Sequence, residues 1–233
     1  EKAMKDGHMP FTKEMISRGA DLRGTCVVPS FTNPNNLSIV TGAPPNVHGI
    51  SGNYFLDPES GDEVMMNDPK FLRADTIFKV FHDAGAKVVV VTAKDKLRSL
   101  LGHGIDFSTG RAICFSSEKA DTTSLLTHGI DNAQAMVGRD IPEVYSAELS
   151  EFVFDAGVKL MNSMRPDLMY LSTTDYIQHK HAPGSPTANN FYNMIDSYLA
   201  QLDKKGALLA LTADHGMNPK FDENGEPDVV YLQ

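Results

Sequence analysis

Two Asp–His pairs are the candidate metal ligands in this sequence. Asp214 and His215 directly follow the apolar run ALLALTA, and Asp175 and His179 lie four residues apart in TTDYIQHKH. A spacing of four places both side chains on one face of a helical turn, although His181 competes with His179 for the role. Carboxylate and neutral imidazole are ligands that Zn²⁺ accepts. Each pair alone is more often a solvated loop, but together they predict two metals that clamp the oxygens of a displacement at phosphorus.

Thr32 is the candidate nucleophile, in the stretch PSFTNPNNLSIVTG. Residues 32–41 predict a helix with Thr32 near the N-cap, Pro34 in the first turn and Gly42 just past the end. The N–H groups and the positive dipole end at the start of such a helix suit an anion. Coordination to a divalent metal is one way to lower the pKa of a hydroxyl. The alternative, that Thr32 is merely the helix cap, is equally compatible with the sequence.

Three other polar residues are candidates for binding an anionic substrate. Asn53, in SGNY, is a candidate donor to a phosphoryl oxygen, or alternatively a turn residue beside Gly52. Lys94 and Lys96, in TAKDK, follow an apolar run and are candidates for holding an anion. Lysines at a helix start are more often simply solvated. The helix dipole disfavours a cation there, and a need for positive charge at the site is one reason for such a lysine to occur.

Alternating strands and helices are predicted to position these residues. Such alternation favours a mostly parallel sheet with helices on both faces. Ligands of these sheets bind outside the carboxyl ends of the strands. Four polar clusters follow four of the predicted strands, so we expect them to converge on one edge. The predicted strands are 22–29, 86–93, 112–116, 167–172, 207–213 and a strand beginning in VVYLQ, and the predicted helices are 76–85, 147–164 and 188–206.

Composition narrows the functional classes. The 233 residues are 41% hydrophobic and 22% charged, which is typical of a soluble globular protein with one sizeable α/β domain or two small ones. The net charge of −9, without a basic run, argues against a nucleic-acid partner. No apolar run is long enough to cross a bilayer. Cys26 and Cys114 are predicted to be buried strand residues rather than a disulfide framework, which fits a reducing, cytoplasmic compartment.

Several long motifs resemble the alkaline phosphatase superfamily, in its nucleotide pyrophosphatase/phosphodiesterase-like branch. The broad resemblance rests on FTNPNNLSIVTGAPPNVHGISGN, TTDYIQH and TADHGM. A narrower resemblance, to the phosphonoacetate hydrolases, runs through essentially the whole chain and includes VMMNDPKFLRA, VVTAKDKLR and PEVYSAELSEFVF. It implies a three-layer α/β/α alkaline-phosphatase-like core with a mostly parallel sheet. It also implies two Zn²⁺ per complete active site and hydrolysis of the carbon–phosphorus bond of phosphonoacetate to acetate and phosphate.

The resemblance also implies a role for each candidate residue. Thr32 would be the nucleophile, Asn53 would bind the phosphoryl group, and Lys94 and Lys96 would bind the substrate. The implied zinc ligands are Asp175 and His179 for one ion, and Asp214, His215 and the Thr32 oxygen for the other.

The resemblance further implies that residues 1–233 form a single, incomplete catalytic core. One ligand of each zinc and a small cap domain would lie beyond the ends of the chain. The expected partner is a small anionic substrate, phosphonoacetate, with neither nucleic acid nor membrane, and the oligomeric state stays open, a homodimer included. Two alternatives remain: a phosphodiesterase or nucleotide pyrophosphatase of the same superfamily, and a fragment that binds metal or anions weakly without catalysis.

Overall fold

The computed structural model describes residues 1–217 and 220–230, and a parallel sheet lies at its centre. Within these residues the sheet has three strands in the order β4-β3-β5: β3 (Val88–Thr92), β4 (Ala112–Ser116) and β5 (Leu168–Ser172). Val88 of the central strand is in register with Ala112 on one side and Leu168 on the other. All five residues of β3 are buried, as expected of a strand that lies between two helix layers.

Alternate residues of β3 pack into two separate apolar clusters on opposite faces of the sheet. Val88 and Val90 pack in the first cluster, with side chains from the helices at 32–41, 77–83 and 95–101. Val89 and Val91 pack in the second, with side chains from the helices at 133–137 and 148–163. Helices therefore cover both faces, which confirms the predicted α/β/α arrangement.

The three helices predicted from apolar spacing are confirmed, with ends shifted by one or two residues. No helix in the described ranges combines the length and the apolar character that crossing a membrane requires. A short antiparallel hairpin of β1 (Tyr54–Leu56) and β2 (Glu63–Met65) lies outside the central sheet. The α-helices are α1 (Lys2–Lys5), α2 (Pro10–Arg18), α3 (Thr32–Thr41), α4 (Pro45–His48), α5 (Ile77–Asp83), α6 (Asp95–Leu101), α7 (Leu125–His128), α8 (Ala133–Val137), α9 (Glu148–Ser163), α10 (Tyr176–Lys180) and α11 (Pro186–Lys204).

The strands predicted at 22–29 and 207–213 are wrong, because both segments are irregular. Their apolar side chains, Leu22 and Leu208 among them, are exposed rather than buried. A strand needs a hydrogen-bonded neighbour as well as an apolar sequence. In the described part of the chain, neither segment pairs with an edge of the sheet. A further strand was predicted in VVYLQ. Residues 229–230 of this run are not in a strand, and residues 231–233 lie outside the described ranges.

The two cysteines differ in environment, and both are free. Cys114 is buried in β4, as predicted, and burial raises the pKa of its thiol to about 12. Cys26 is exposed, so its prediction as a buried strand residue is wrong for the same reason as the strand around it.

His48 is a fully buried residue that links α3 to α4. Its Nδ1 atom accepts a hydrogen bond from the backbone N–H of Ile50 at 3.1 Å. The hydrogen of the neutral ring is therefore on Nε2, which donates to Ser38 Oγ at 3.1 Å. Burial lowers the pKa of His48, so the folded protein holds this ring in its neutral form.

We expect the free energy of unfolding to fall as the pH drops below about 6.5, the ordinary pKa of histidine. The unfolded chain binds a proton at His48 in that range and the folded chain does not, so acid favours unfolding. In a His48→Gln variant, urea unfolding measured from pH 5 to pH 8 should show a smaller pH dependence. It should also show a loss of about 1–3 kcal/mol at pH 8, where the ring hydrogen bonds are missing. The same pH dependence in both proteins would contradict this role for His48.

Candidate active site

Thr32 is the first residue of α3, and Phe31 is the N-cap. In the described structure, the N-cap position supplies no side-chain hydrogen bond to α3. The alternative that Thr32 is merely the helix cap is therefore wrong, and its half-buried hydroxyl stands at the start of the helix. The other predicted features of this helix are confirmed: Pro34 lies in the first turn, and Gly42 ends the helix at a φ of 64°.

Asn53 lies against the first turn of α3. Its Oδ1 atom accepts the backbone N–H of Asn33 at 3.2 Å, and its backbone carbonyl accepts the N–H of Met66 at 2.8 Å. The Asn33 side chain in turn donates to the Met66 carbonyl at 3.1 Å. Asn53 thus satisfies an N–H group at the helix start that α3 itself leaves unpaired. With Oδ1 engaged in this way, the Nδ2 group is the hydrogen-bond donor of this side chain.

Asp214 reaches the same helix through Asn36. The Asn36 Nδ2 atom donates to Asp214 Oδ2 at 3.0 Å and to the Thr32 carbonyl at 3.0 Å. On its other side, Asn36 Oδ1 accepts the hydroxyl of Tyr170, on β5, at 2.8 Å. Burial and the nearby Asp214 carboxylate raise the pKa of Tyr170, so its hydroxyl keeps its proton and donates. The sequence analysis assigned no role to Asn36, although its spacing of four from Thr32 indicates a shared helix face.

Asp214 and His215 form a close, partly buried pair. The His215 Nε2 atom lies 3.8 Å from Asp214 Oδ2. The His215 Nδ1 atom lies 3.0 Å from the Gly216 carbonyl, which can only accept, so the ring hydrogen is on Nδ1. In the neutral ring the lone pair is then on Nε2, the atom that lies near the carboxylate, which is the state that a metal ligand requires.

Asp175 and His179 form a second pair, and their predicted arrangement on one helical turn is confirmed. Asp175 is the N-cap of α10, and its Oδ2 atom lies 3.1 Å from His179 Nε2. His181 follows the helix as its C-cap. Among the residues that the structure describes, no three or more Asp, Glu, His or Cys side chains cluster tightly enough to hold a metal. Each Asp–His pair thus supplies two donor groups.

Lys94 follows β3, at the edge of the sheet where β3 and β5 both end. The N–H of Ala93 donates to the Ser172 carbonyl at 2.8 Å, which holds the two strand ends together. The Lys94 Nζ atom lies 4.8 Å from the centre of the Tyr145 ring. That ring lies 6.1 Å from the ring of Tyr176, the neighbour of Asp175. The sequence analysis missed both tyrosines, because a single aromatic residue outside a strand or a long amphipathic helix gives no periodic signal.

Lys96 occupies the first turn of α6 and is exposed. Glu118 accepts the backbone N–H of Asp95 at 2.9 Å and so fixes the turn between the two lysines. The structure therefore holds the backbone of this turn, while the Lys96 side chain extends into solvent.

Each of the four polar clusters was predicted to follow the end of a strand. The structure confirms this for two of the clusters. Lys94 and Asp175 follow β3 and β5 as expected. Thr32 and Asp214 follow irregular segments instead, and side-chain hydrogen bonds through Asn36 hold them together. The Tyr170 hydroxyl links this network of Thr32, Asn36 and Asp214 to the sheet.

These motifs match a known protein family. A sequence model of the type I phosphodiesterase / nucleotide pyrophosphatase family matches residues 2–231. The chain belongs to this family. A family member from Schizosaccharomyces pombe, described as an uncharacterized pyrophosphatase/phosphodiesterase, is 26% identical over 209 residues, which cover 83% of this chain and 37% of the relative.

Solved structures similar to this chain include a phosphonoacetate hydrolase from Sinorhizobium meliloti 1021. Its complex with phosphonoformate is 64% identical, with a TM-score of 0.94, and the match covers 99% of this chain and 56% of that one. Its complex with phosphonoacetate is 63% identical over the same shares, again with a TM-score of 0.94. The match with murine ectonucleotide pyrophosphatase/phosphodiesterase 5 has a TM-score of 0.52 at 18% identity and covers 85% of this chain and 48% of that one, which shows a shared fold alone. The chain spans just over half the length of the S. meliloti hydrolase.

Proposed function

We propose that this member of the type I phosphodiesterase family hydrolyses the carbon–phosphorus bond of phosphonoacetate, with two zinc ions and Thr32 as the nucleophile. The observation that carries the proposal is the 64% identity over 99% of this chain to a phosphonoacetate hydrolase. That enzyme was solved in complex with phosphonoacetate itself. We propose in addition that residues 1–233 belong to a single catalytic core, because helices pack on both faces of one central sheet.

The donor groups at the two Asp–His pairs suit zinc. Asp175 and His179 would hold one ion, and Asp214, His215 and the Thr32 oxygen would hold the other. The tautomer of His215 supports this assignment, since its Nδ1 hydrogen is engaged by the Gly216 carbonyl and Nε2 is left as a ligand. Zinc at these positions would lower the pKa of a bound hydroxyl or water and offset the negative charge on the phosphoryl oxygens.

In the reaction we propose, the Thr32 hydroxyl loses its proton to solvent water and its oxygen attacks phosphorus. The carbon–phosphorus bond breaks, and its electron pair leaves with the acetate carbon, which then takes a proton from water. A second water hydrolyses the phosphothreonine, so that phosphate is released and Thr32 is restored. Asn53 Nδ2 would donate to a phosphoryl oxygen during both displacements, since its Oδ1 atom is held by α3.

The chemistry of the leaving group gives a reason for two lysines at the site. The electron pair that arrives on carbon is stabilised by delocalisation into the neighbouring carboxylate of the substrate. An ammonium group at that carboxylate stabilises the charge where it develops, which lowers the barrier. Lys94 suits this role because the Tyr145 ring supports its Nζ atom at the strand ends. A phosphodiester leaving group carries no such carboxylate.

We expect Lys94→Ala and Lys96→Ala each to lower kcat/KM for phosphonoacetate by about 10²-fold to 10³-fold. Each variant removes a positive charge from the carboxylate of the substrate while leaving the phosphoryl site intact. Turnover of an aryl phosphodiester, which lacks that carboxylate, should change less than about threefold. The measurement is steady-state kinetics of the zinc-loaded protein on both substrates.

Lys205→Ala is the matched control, because Lys205 bonds to Asn162 at 2.7 Å and belongs to none of the elements around the site. It should match the wild type on both substrates. A strong preference for the diester that neither Lys94→Ala nor Lys96→Ala alters would instead favour the phosphodiesterase alternative. Zinc binding without turnover of either substrate would favour the non-catalytic alternative.

A further inference from the structure

We propose that Asn36 is a positioning residue that holds the Asp214 carboxylate at a set distance and angle from Thr32. This inference rests on the proposed function, in which Thr32 is the nucleophile and Asp214 is a zinc ligand. Both are reached by the same Asn36 nitrogen, which lies 3.0 Å from the Thr32 carbonyl and 3.0 Å from Asp214 Oδ2.

The surroundings of Asn36 determine the orientation of its amide group. The Thr32 carbonyl and the Asp214 carboxylate can only accept hydrogen bonds, so the NH₂ group must face them. The Tyr170 hydroxyl, 2.8 Å away on the opposite side, donates to Oδ1. The flipped amide would place an oxygen against two acceptors and lose two bonds. The three partners thus allow one orientation, in which each amide hydrogen and the carbonyl oxygen are used.

Burial strengthens this arrangement. Asn36 is 4% exposed, so water cannot readily replace a partner that moves away. In such surroundings an unpaired donor is costly, and the network keeps a single geometry. Tyr170 belongs to β5 and Asn36 to α3. Hydrogen bonds from both the sheet and the helix therefore hold Asp214 in position. The segment before Asp214 is irregular and exposed, so its backbone offers no comparable support.

The neighbouring asparagines differ from Asn36 in what they bind. Asn33 and Asn35 are equally buried, but their side chains bond to main-chain atoms, as expected of residues that stabilise local structure. Asn36 alone among these three bonds to the side chain of a proposed zinc ligand. It engages Oδ2 of Asp214, the same oxygen that lies 3.8 Å from His215 Nε2. Hydrogen bonds of this kind orient metal ligands and tune their affinity.

We expect Asn36→Leu, which keeps the shape of the side chain but not its hydrogen bonds, to weaken zinc binding by about 10-fold to 100-fold. Asp214 would then adopt several orientations, and one zinc of the pair would bind less tightly. The measurement is competition with a chromophoric chelator, together with the visible absorption spectrum of the cobalt-substituted protein. The cobalt bands should change in position and intensity, and kcat for phosphonoacetate should fall more than KM rises.

Three variants separate positioning from general stability. Tyr170→Phe keeps the Asn36–Asp214 bond and removes one support of the amide, so its zinc affinity should lie between those of wild type and Asn36→Leu. Asn36→Asp should weaken binding as well, because a second carboxylate would face Asp214 without an N–H to donate. Asn189→Leu is the control, since it removes a buried amide that bonds to the Gly184 carbonyl at 3.2 Å on a different helix. It should lower Tm but leave the zinc affinity and the cobalt spectrum unchanged.

The inference is overturned if Asn36→Leu loses stability yet keeps the zinc affinity and the cobalt spectrum of the wild type. That result would leave the proposed function intact, because wild-type zinc binding and turnover are measured in the same experiment. A wild-type protein that binds no zinc would instead overturn the proposed function, and the role of Asn36 with it.

Discussion

Replacement of Thr32 by alanine is expected to lower the turnover of phosphonoacetate by at least about 10³-fold. The change removes the hydroxyl group from the first residue of α3, so the attack on phosphorus loses its nucleophile. Zinc content should stay largely intact, because Asp214 and His215 are unchanged and Asn36 bonds to the backbone carbonyl of residue 32. The measurements are single-turnover kinetics and metal analysis of the purified protein.

Two further variants sharpen this result. Thr32→Ser keeps a hydroxyl at the same backbone position and should retain measurable turnover. Thr41→Ala alters a threonine at the other end of the same helix, whose hydroxyl bonds to the Leu37 carbonyl at 2.6 Å, and should leave turnover close to wild type. Turnover that persists in Thr32→Ala would remove Thr32 from the nucleophile role.

Replacement of Asp214 by alanine is expected to weaken the binding of one zinc by more than about 100-fold. A ligand is lost outright, so the effect should exceed that of any change at Asn36. Turnover should fall with the metal, since the same ion would activate Thr32. The variant also leaves the buried Asn36 amide with an unpaired hydrogen, at a cost of about 1–3 kcal/mol in the free energy of unfolding. Isothermal titration with zinc and chemical unfolding measure the two effects separately.

Asp222→Ala is the control for this change, because Asp222 is an exposed residue that bonds to the backbone of its own turn. It should lose some local stability and retain both zinc ions. If Asp214→Ala binds two zinc ions as tightly as the wild type, Asp214 is not a ligand and the proposed site must be revised.

The helices and the buried strands were predictable because each carries its own signal. The spacing of apolar residues at three and four in 147–164 predicts a helix, and the structure has Glu148–Ser163. The run AKVVVVTA predicts a strand apolar on both faces, and Val88–Thr92 is buried between two helix layers. In both cases a local pattern and the tertiary packing agree, as they do in most of the fold.

The strands predicted at 22–29 and 207–213 show where local patterns stop being sufficient. LRGTCVVP and ALLALTA have the composition of buried strands, but a strand exists only when another strand accepts its hydrogen bonds. The backbone N–H of Val27, for instance, donates to the Asn35 side chain at 2.8 Å rather than to a strand. Partners distant in the chain decide such cases, and composition does not identify them.

By itself, the sequence determined the chemical groups of this protein and the order in which they occur: Thr32 at a helix start, two Asp–His pairs and two lysines after apolar runs. Residue type and short-range spacing carry that information, because helical turns and strand ends are local structures. Only the tertiary structure decided that Phe31 rather than Thr32 is the N-cap of α3, that Asn53 pairs with the start of α3, and that Asn36 joins Asp214 to Thr32. These hydrogen bonds join residues up to 178 positions apart in the sequence. They form because α3 packs against the sheet that contains Tyr170.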